Sequence, residues 1–167
     1  MSIVLIGPWC AGKTTIGTQM SLATGLPFID IDDALPRYGA EIGWSIDHLI
    51  RRNEEVGMLA SEAEWEDVRE YAVRRVLDGH DQAIVALGAS YTGYTEPAHA
   101  EGVRQTLADH MPILLTPSND DDEAARICWG RAVADRGREW AEARSDFMSW
   151  SPTELDRQVA RAVTLTR

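Results

Sequence analysis

A phosphate-loop pattern near the start of the chain limits the folds open to it. Residues 7–14 read GPWCAGKT and match GxxxxGK[ST], and an apolar run at residues 3–6 comes directly before them. A helical pattern follows at residues 13–24. In this setting the backbone N–H groups of the loop wrap phosphate groups, and the next helix presents its positive end to them. The pattern therefore predicts a strand–loop–helix unit that binds ATP.

The residues of this loop have distinct predicted roles. Gly7 and Gly12 allow the backbone angles and the close approach of a phosphate. Lys13 is predicted to contact the β- and γ-phosphates and to be catalytic, and Thr14 to ligate Mg²⁺. The predicted nucleotide-binding set within the loop is Gly7, Cys10, Ala11, Gly12, Lys13, Thr14 and Thr15. The alternative is a glycine-rich turn that carries an ordinary surface lysine.

Lys13 is also the one lysine among the 16 basic residues of the chain. All of the others are arginine, whose planar guanidinium differs from the compact and flexible ammonium of lysine. Lysine is therefore kept at the position where a point charge suits phosphate best.

Composition narrows the possible partners. The chain has 167 residues and a formal net charge of −11, which fits one domain and predicts repulsion from a nucleic-acid backbone. No apolar run approaches the roughly 20 residues of a membrane span. Cys10 and Cys128 lack the spacing of a disulfide framework, which predicts reduced thiols. We expect a cytoplasmic monomer or weak homodimer that binds a small molecule and neither nucleic acid nor membrane.

Strand and helix patterns alternate along the chain. Strands are predicted at 3–6, 27–31, 83–87 and 113–116, and a short fifth strand at 163–166. Helices are predicted at 13–24, 45–55, 61–79, 98–110 and 120–134, and a last one opens at 151–154. This alternation predicts a three-layer α/β domain, residues 1–167, with a parallel sheet.

Two carboxylates end the second predicted strand. Asp30 and Asp32 alternate on one face, at the strand end where open α/β sheets bind ligands. One is predicted to lie near Mg²⁺ (Asp30) and the other to accept the proton of the acceptor hydroxyl (Asp32). The alternative is that Asp32 or Asp33 only caps the following helix.

Small residues follow the third strand, and arginines follow the fourth. Gly88 and Ala89 allow a substrate to approach the backbone, although a plain turn explains them equally well. Four arginines lie in or near an irregular stretch that resembles a lid: Arg131, Arg136, Arg138 and Arg144. One is predicted to stabilise the transferring phosphoryl group, with Arg136 first choice, and Arg131 is predicted to bind nucleotide. The alternative is a solvated helix that pairs with Glu139 and Glu142.

Together the segments GPWCAGKTT, FIDIDD and ALGAS, with the arginine-rich stretch, resemble the shikimate kinase family. The resemblance implies a P-loop NTPase fold with a five-stranded parallel sheet in the order 2-3-1-4-5. It implies a helical substrate segment at about 33–80 and a lid at about 131–150. By position, Asp32 is similar to the substrate-binding aspartate of the family, a proposed base, and Asp30 to the carboxylate near the metal.

The chain departs from the family where the substrate is recognised. The F-R-x-x-E pattern reads Trp65-Glu66-Asp67-Val68-Arg69, so the charges at its two key places are exchanged. The glycine triplet is reduced to one glycine, and the R-x-x-L-Y pattern has no match near Leu155.

These departures shape the functional prediction, which is an ATP-dependent kinase for a hydroxyl of a small polar metabolite other than shikimate. An amino alcohol, hydroxy amino acid or aminocyclitol is favoured. The predicted substrate-binding residues are Asp32, Glu66, Arg69, Gly88 and Ala89. The alternatives are shikimate kinase proper, another P-loop enzyme, or a nucleotide-binding regulatory module without catalysis.

Overall fold

A computed structural model describes residues 1–145 and 150–160. Its four strands are β1 (Ile3–Ile6), β2 (Phe28–Asp30), β3 (Ile84–Ala86) and β4 (Met111–Leu114). They form one sheet in the order β2-β3-β1-β4, and every pairing is parallel. The α/β fold and the order 2-3-1-4 are as predicted, and the fifth strand predicted at 163–166 lies outside the described residues.

Helices connect and cover these strands. They are α1 (Lys13–Thr24), α2 (Ile31–Glu41), α3 (Ile46–Val56), α4 (Met58–Glu64), α5 (Glu66–Asp78), α6 (Pro97–Ala108), α7 (Asp121–Arg136), α8 (Arg138–Glu142) and α9 (Glu154–Val159). A 3-10 helix, Ala89–Thr92, follows β3. Helix α1 packs on β1, β2 and β3, whereas α6 and α9 contact β4 and α5 joins α2 to α6. In the described ranges, no helix is both long and apolar enough to cross a bilayer.

The sheet interior is apolar because its central strands are covered. Val4, Leu5 and Ile6 in β1 are fully buried, as are Ile84 and Val85 in β3. Such continuous apolar runs are typical of parallel strands covered on both faces. All four strands run in the same direction, so their carboxyl ends meet at one edge of the sheet, where the loops that follow them can form a binding site.

Several local predictions differ from the structure, among them the helix predicted at 61–79, which is interrupted at Trp65 between α4 and α5. Helix α2 was missed, because Pro36 lies inside it and a proline normally interrupts a helix. Helix α8 occupies part of the stretch read as irregular. Strand β4 begins two residues earlier than predicted, with Pro112 opposite Val4. β4 lies at the edge of the described sheet, where a strand tolerates proline.

Candidate active site

An open cavity of about 660 Å³ lies at the carboxyl edge of the sheet. It is lined by residues from the phosphate loop, the β2–α2 junction, the end of β3 and helix α7. Twelve predicted site residues line it: Cys10, Ala11, Gly12, Lys13, Thr14, Thr15, Asp30, Asp32, Gly88, Ala89, Arg131 and Arg136. The structure therefore brings the predicted nucleotide, metal and lid residues into one space.

The phosphate loop is held in a compact shape by its own lysine. Lys13 Nζ donates to the carbonyl oxygens of Gly7 at 2.7 Å and Pro8 at 2.8 Å. Burial lowers the pKa of Lys13, although nearby carboxylates, Asp156 and Asp32 first among them, oppose that shift. Gly7 has a φ of 129°, and a side chain there would meet the Leu115 carbonyl oxygen at 2.2 Å. Glycine at position 7 is therefore required by both space and backbone angle.

A hydroxyl and a carboxylate meet beside the loop. Thr14 Oγ1 donates to Asp30 Oδ2 at 2.9 Å, so helix α1 and strand β2 bring their oxygens together. The other oxygen of Asp30 accepts from the Asp32 backbone N–H at 3.2 Å, which makes Asp30 the N-cap of α2. Mg²⁺ is commonly held by one or two such oxygens together with substrate phosphates. Thr14 and Asp30 are thus of the right kind and in the right place to hold the ion.

Asp32 occupies the first turn of α2 rather than the strand, so the predicted alternation with Asp30 on one strand face is wrong. Nor is it the cap, since Asp30 fills that role. Removal of water by the surrounding protein raises the pKa of Asp32, and the Asp30 charge raises it further. Lys13 and the Tyr91 hydroxyl oppose this shift. Asp32 is consequently a carboxylate with increased proton affinity, a suitable property for a general base.

Helix α7 contacts the phosphate loop through Arg131. Its Nη1 donates to the carbonyl oxygens of Cys10 at 3.0 Å and Ala11 at 3.4 Å. The arginine is therefore already seated on the predicted nucleotide site.

The lid segment lies against the same loop. Arg136, at the end of α7, donates to Asp135 at 3.1 Å and lies over the Trp140 ring. The ring of Trp140 is in turn 5.4 Å from that of Trp9 in the phosphate loop. The described part of the lid therefore contacts the loop through an aromatic pair; residues 146–149 of the predicted lid lie outside the described ranges.

Two predicted substrate residues are not brought to the cavity. Glu66 and Arg69 are each 3% exposed, and neither is among the lining residues. The Glu66 carboxylate accepts from the Thr95 backbone and hydroxyl and from the Glu96 backbone. Burial raises the pKa of Glu66, but these hydrogen bonds and Arg69 outweigh it and leave the pKa lowered. Both side chains are occupied by the protein itself.

The structure also shows site residues that the sequence did not single out. Trp9 and Asp135 line the cavity. Asp156 does not line the cavity, but its charge acts on the pKa of Lys13; it is 1% exposed and completes a capping box with Thr153 at the start of α9. Burial raises its pKa, and Lys13 opposes that shift. The T-x-x-D spacing at 153–156 is a capping signal, but nothing in it points to Lys13, which lies far away in the sequence.

Comparisons with known proteins agree with this geometry. The shikimate kinase family model matches residues 9–118. The chain is 36% identical over 125 residues to a shikimate kinase of Halorhodospira halophila, covering 71% of this chain and 63% of that protein. It is 32% identical over 148 residues to a shikimate kinase of Mycobacterium leprae, covering 87% and 65%. The chain thus spans less than two thirds of the length of these relatives.

A solved structure shares the fold. The shikimate kinase from Acinetobacter baumannii in complex with shikimate superposes with a TM-score of 0.60 and 20% identity, covering 96% of this chain and 80% of that one. At 20% identity this similarity establishes the fold alone. Membership of a family is established by the family model and the two relatives. On that sequence evidence, the chain belongs to the shikimate kinase family.

Proposed function

We propose that this protein transfers the γ-phosphate of ATP to a hydroxyl group of a small polar metabolite. The observation that carries the proposal is the single cavity in which Lys13, the Thr14–Asp30 pair and Asp32 meet. Phosphoryl transfer needs little covalent chemistry from the protein and depends on positioning and charge stabilisation. These residues supply both.

Each side chain has a role that follows from its surroundings. Lys13 leaves the Gly7 and Pro8 carbonyls to contact the β- and γ-phosphates. Thr14 and Asp30 would hold Mg²⁺, which would supply positive charge to offset that of the phosphates. Asp32 orients the acceptor hydroxyl and takes its proton.

The charges at the acceptor end favour an acceptor that bears an amine. Asp32 lies there beside Gly88 and Ala89, and of the described lining residues the cations are Lys13, Arg131 and Arg136, which belong to the nucleotide end. Burying an unpaired carboxylate of a substrate costs several kcal/mol. Amino alcohols and aminocyclitols place an ammonium near Asp32 instead. Hydroxy amino acids do the same but also carry a carboxylate, which would need Arg69 as its partner. Glu66, part of the sequence argument for this class, does not contribute because it faces away from the cavity.

Shikimate itself is the second candidate, favoured by the family match and by relatives that are shikimate kinases. Its carboxylate would need a cation at the acceptor end, and the described lining residues give none there unless the pairing of Arg69 rearranges. The two candidates thus differ in the charged group that the acceptor brings to this end of the cavity, which is an ammonium in one and the carboxylate of shikimate in the other.

An ADP-release assay with ATP and Mg²⁺ separates these candidates. We expect release with amine-bearing alcohols, and much less with shikimate. Efficient shikimate turnover, with kcat/KM of roughly 10⁴ M⁻¹s⁻¹ or more, would return the protein to the activity of its relatives. Nucleotide binding without ADP release with any acceptor would instead favour a regulatory module.

A second expected result concerns the lid. Arg136→Ala should lower kcat by about 10²-fold or more with little change in ATP affinity, because an arginine that meets charge developing on the phosphoryl group acts mainly in the transition state. Arg131→Ala should weaken nucleotide binding more than Arg136→Ala does, because Arg131 already contacts the phosphate loop. Arg126→Ala is the matched control, since Arg126 is an exposed α7 arginine paired with Glu123. Small and equal effects on kcat of alanine substitutions at Arg131, Arg136 and Arg138 would contradict the proposal that a lid arginine stabilises the phosphoryl group.

A further inference from the structure

Arg69 is a buried cation whose charge is surrounded by groups of its own chain. Its guanidinium lies 5.3 Å from the ring centroid of Trp65, the residue just before α5, and 5.1 Å from that of Tyr94, which follows β3. The carboxylates of Glu62 and Glu66 each lie 3.8 Å from one of its nitrogens. Cation–π contacts and ion pairs gain strength when they are removed from water. Both terminal nitrogens of Arg69 bond to carbonyl oxygens of the protein, its Nε is buried without a hydrogen-bond partner, and the residue does not line the cavity.

The hydrogen bond made by Arg69 Nη1 leads towards the active site. It goes to the Ser90 carbonyl oxygen, in the 3-10 helix Ala89–Thr92. We call residues 88–92 the acceptor turn, because Gly88 and Ala89 at its start line the cavity. The backbone of that turn is therefore tied to α5 by a charged donor, one of the stronger kinds of hydrogen bond.

The acceptor turn is closely fitted to Asp32. A side chain at Gly88 would meet the Tyr91 ring at 2.9 Å and Asp32 Oδ1 at 3.1 Å. Tyr91 is 1% exposed, so its ring is held in place beside Gly88 and Asp32. A small displacement of the turn would therefore alter the space between the Gly88 backbone and the proposed base.

A second set of hydrogen bonds holds the end of the loop that follows the acceptor turn. Glu66 Oε1 accepts from the Thr95 backbone and hydroxyl, both at 2.7 Å, and its Oε2 accepts from the Glu96 backbone at 3.0 Å. Arg69 and Glu66 are one turn apart on α5 and thus fix the segment 88–96 at two points. The pair joins the helix to the loop rather than to a ligand.

We propose that Arg69 is a positioning residue, which holds the acceptor turn through Ser90 and thereby sets the approach of the acceptor to Asp32 without touching it. The proposal rests on the proposed function, since it assigns the turn to the acceptor. The proposal requires that Arg69 keeps the acceptor turn rigid. The rigidity of the turn can be measured whether or not the acceptor is known.

The kinetic test compares Arg69→Met with a matched control on the same helix. Arg69→Met should raise KM for the acceptor by about tenfold or more, because small misplacements of a reacting group are costly. KM for ATP should stay within about twofold, the size of a change that touches nothing critical. Arg75→Met removes an arginine that pairs with Glu41 at 2.8 Å, and should leave both values near those of the wild type.

The structural test needs no acceptor. Amide hydrogen exchange, followed by mass spectrometry, should become about tenfold faster or more in residues 88–92 of Arg69→Met, while exchange in β1 and β3 is unchanged. Arg75→Met should exchange like the wild type in the same peptides. If the wild type releases no ADP with any acceptor, the proposed function fails, and this measurement still decides whether Arg69 holds the turn.

A conservative variant covers the possibility that Arg69→Met does not fold. Arg69→Lys keeps a buried cation between Trp65 and Tyr94 but offers a compact ammonium in place of a planar fork. It should speed exchange in the acceptor turn in the same direction, by a smaller factor. The proposal would be overturned if the folded variants exchanged their amide hydrogens in the acceptor turn as slowly as the wild type. It would also be overturned if the KM for the acceptor and the KM for ATP rose equally.

Discussion

Replacing Lys13 with alanine is expected to abolish turnover while the protein remains folded. The Lys13 ammonium is the one lysine charge of the chain, and it already lies within the phosphate loop, bonded to the carbonyls of Gly7 and Pro8. Loss of a single donor aimed at developing charge commonly costs about 10² to 10³-fold in kcat, and a charged donor costs at least that. ADP release under saturating ATP and acceptor measures the effect.

Stability should change little in the same variant. The Lys13 side chain itself lines an open cavity, from which water can take its place beside the two carbonyls. Burial already lowers the pKa of Lys13, so the charge that is removed was disfavoured by its surroundings. We expect the Tm to stay within about 4 °C of the wild type, the shift that about 1 kcal/mol gives in a chain of this size.

Two further variants make the Lys13 result specific. Lys13→Arg keeps the charge but replaces a point charge with a planar fork, and should recover little activity. Gln19→Ala changes an exposed position one and a half turns along α1 and should turn over like the wild type. Near wild-type phosphoryl transfer by Lys13→Ala would refute the central proposal.

The parts of the fold that sequence predicted well are those fixed by local rules. The apolar run at 3–6, the glycine-flanked loop and the helix at 13–24 agree with the structure to the residue. Only glycine fits at position 7, because its backbone angle and the nearby Leu115 carbonyl both exclude a side chain. A local sequence pattern of this kind predicts its own backbone geometry. Patterns of this kind therefore predicted most of the residues that line the cavity.

The parts that sequence missed depend on contacts between distant segments. Helix α2 is stabilised by the Asp30 cap and by packing on α5, which outweigh the proline inside it. The prediction that Glu66 and Arg69 bind substrate rests on their positions in the F-R-x-x-E pattern of the family, which says nothing about their partners. Their partners are 20 to 30 residues away, at Ser90, Thr95 and Glu96, and only folding brings them together. Pairing is a property of the fold that spacing does not reveal.

The second large effect is expected at Asp32. Asp32→Asn should lower kcat by about 10²-fold or more, as expected when a general base is removed. Asparagine keeps the size of the side chain and can still accept a hydrogen bond from the acceptor hydroxyl, but it cannot take the proton. The substrate KM should therefore change less than kcat. Asp33→Asn is the matched control, because Asp33 lies in the same first turn of α2 and does not line the cavity.

The pH profile gives an independent check on this role. Burial and the Asp30 charge raise the pKa of Asp32, so the wild-type activity should fall with decreasing pH at a value above that of an ordinary carboxylate. The residual activity of Asp32→Asn should lack this acidic limb. A limb retained unchanged in the variant would assign the titration to another group.

Stability should move in the opposite direction from activity. A carboxyl whose folded-state pKa is raised stabilises the fold below its unfolded pKa, and that contribution is lost as pH rises through the folded value. The ionised Asp32 is therefore a cost at pH 7, and Asp32→Asn should melt at the same temperature as the wild type or higher. The gain should shrink towards about pH 4, where the wild-type carboxyl is itself protonated. A variant with unchanged kcat and a lower Tm would show that Asp32 serves only to stabilise the first turn of α2.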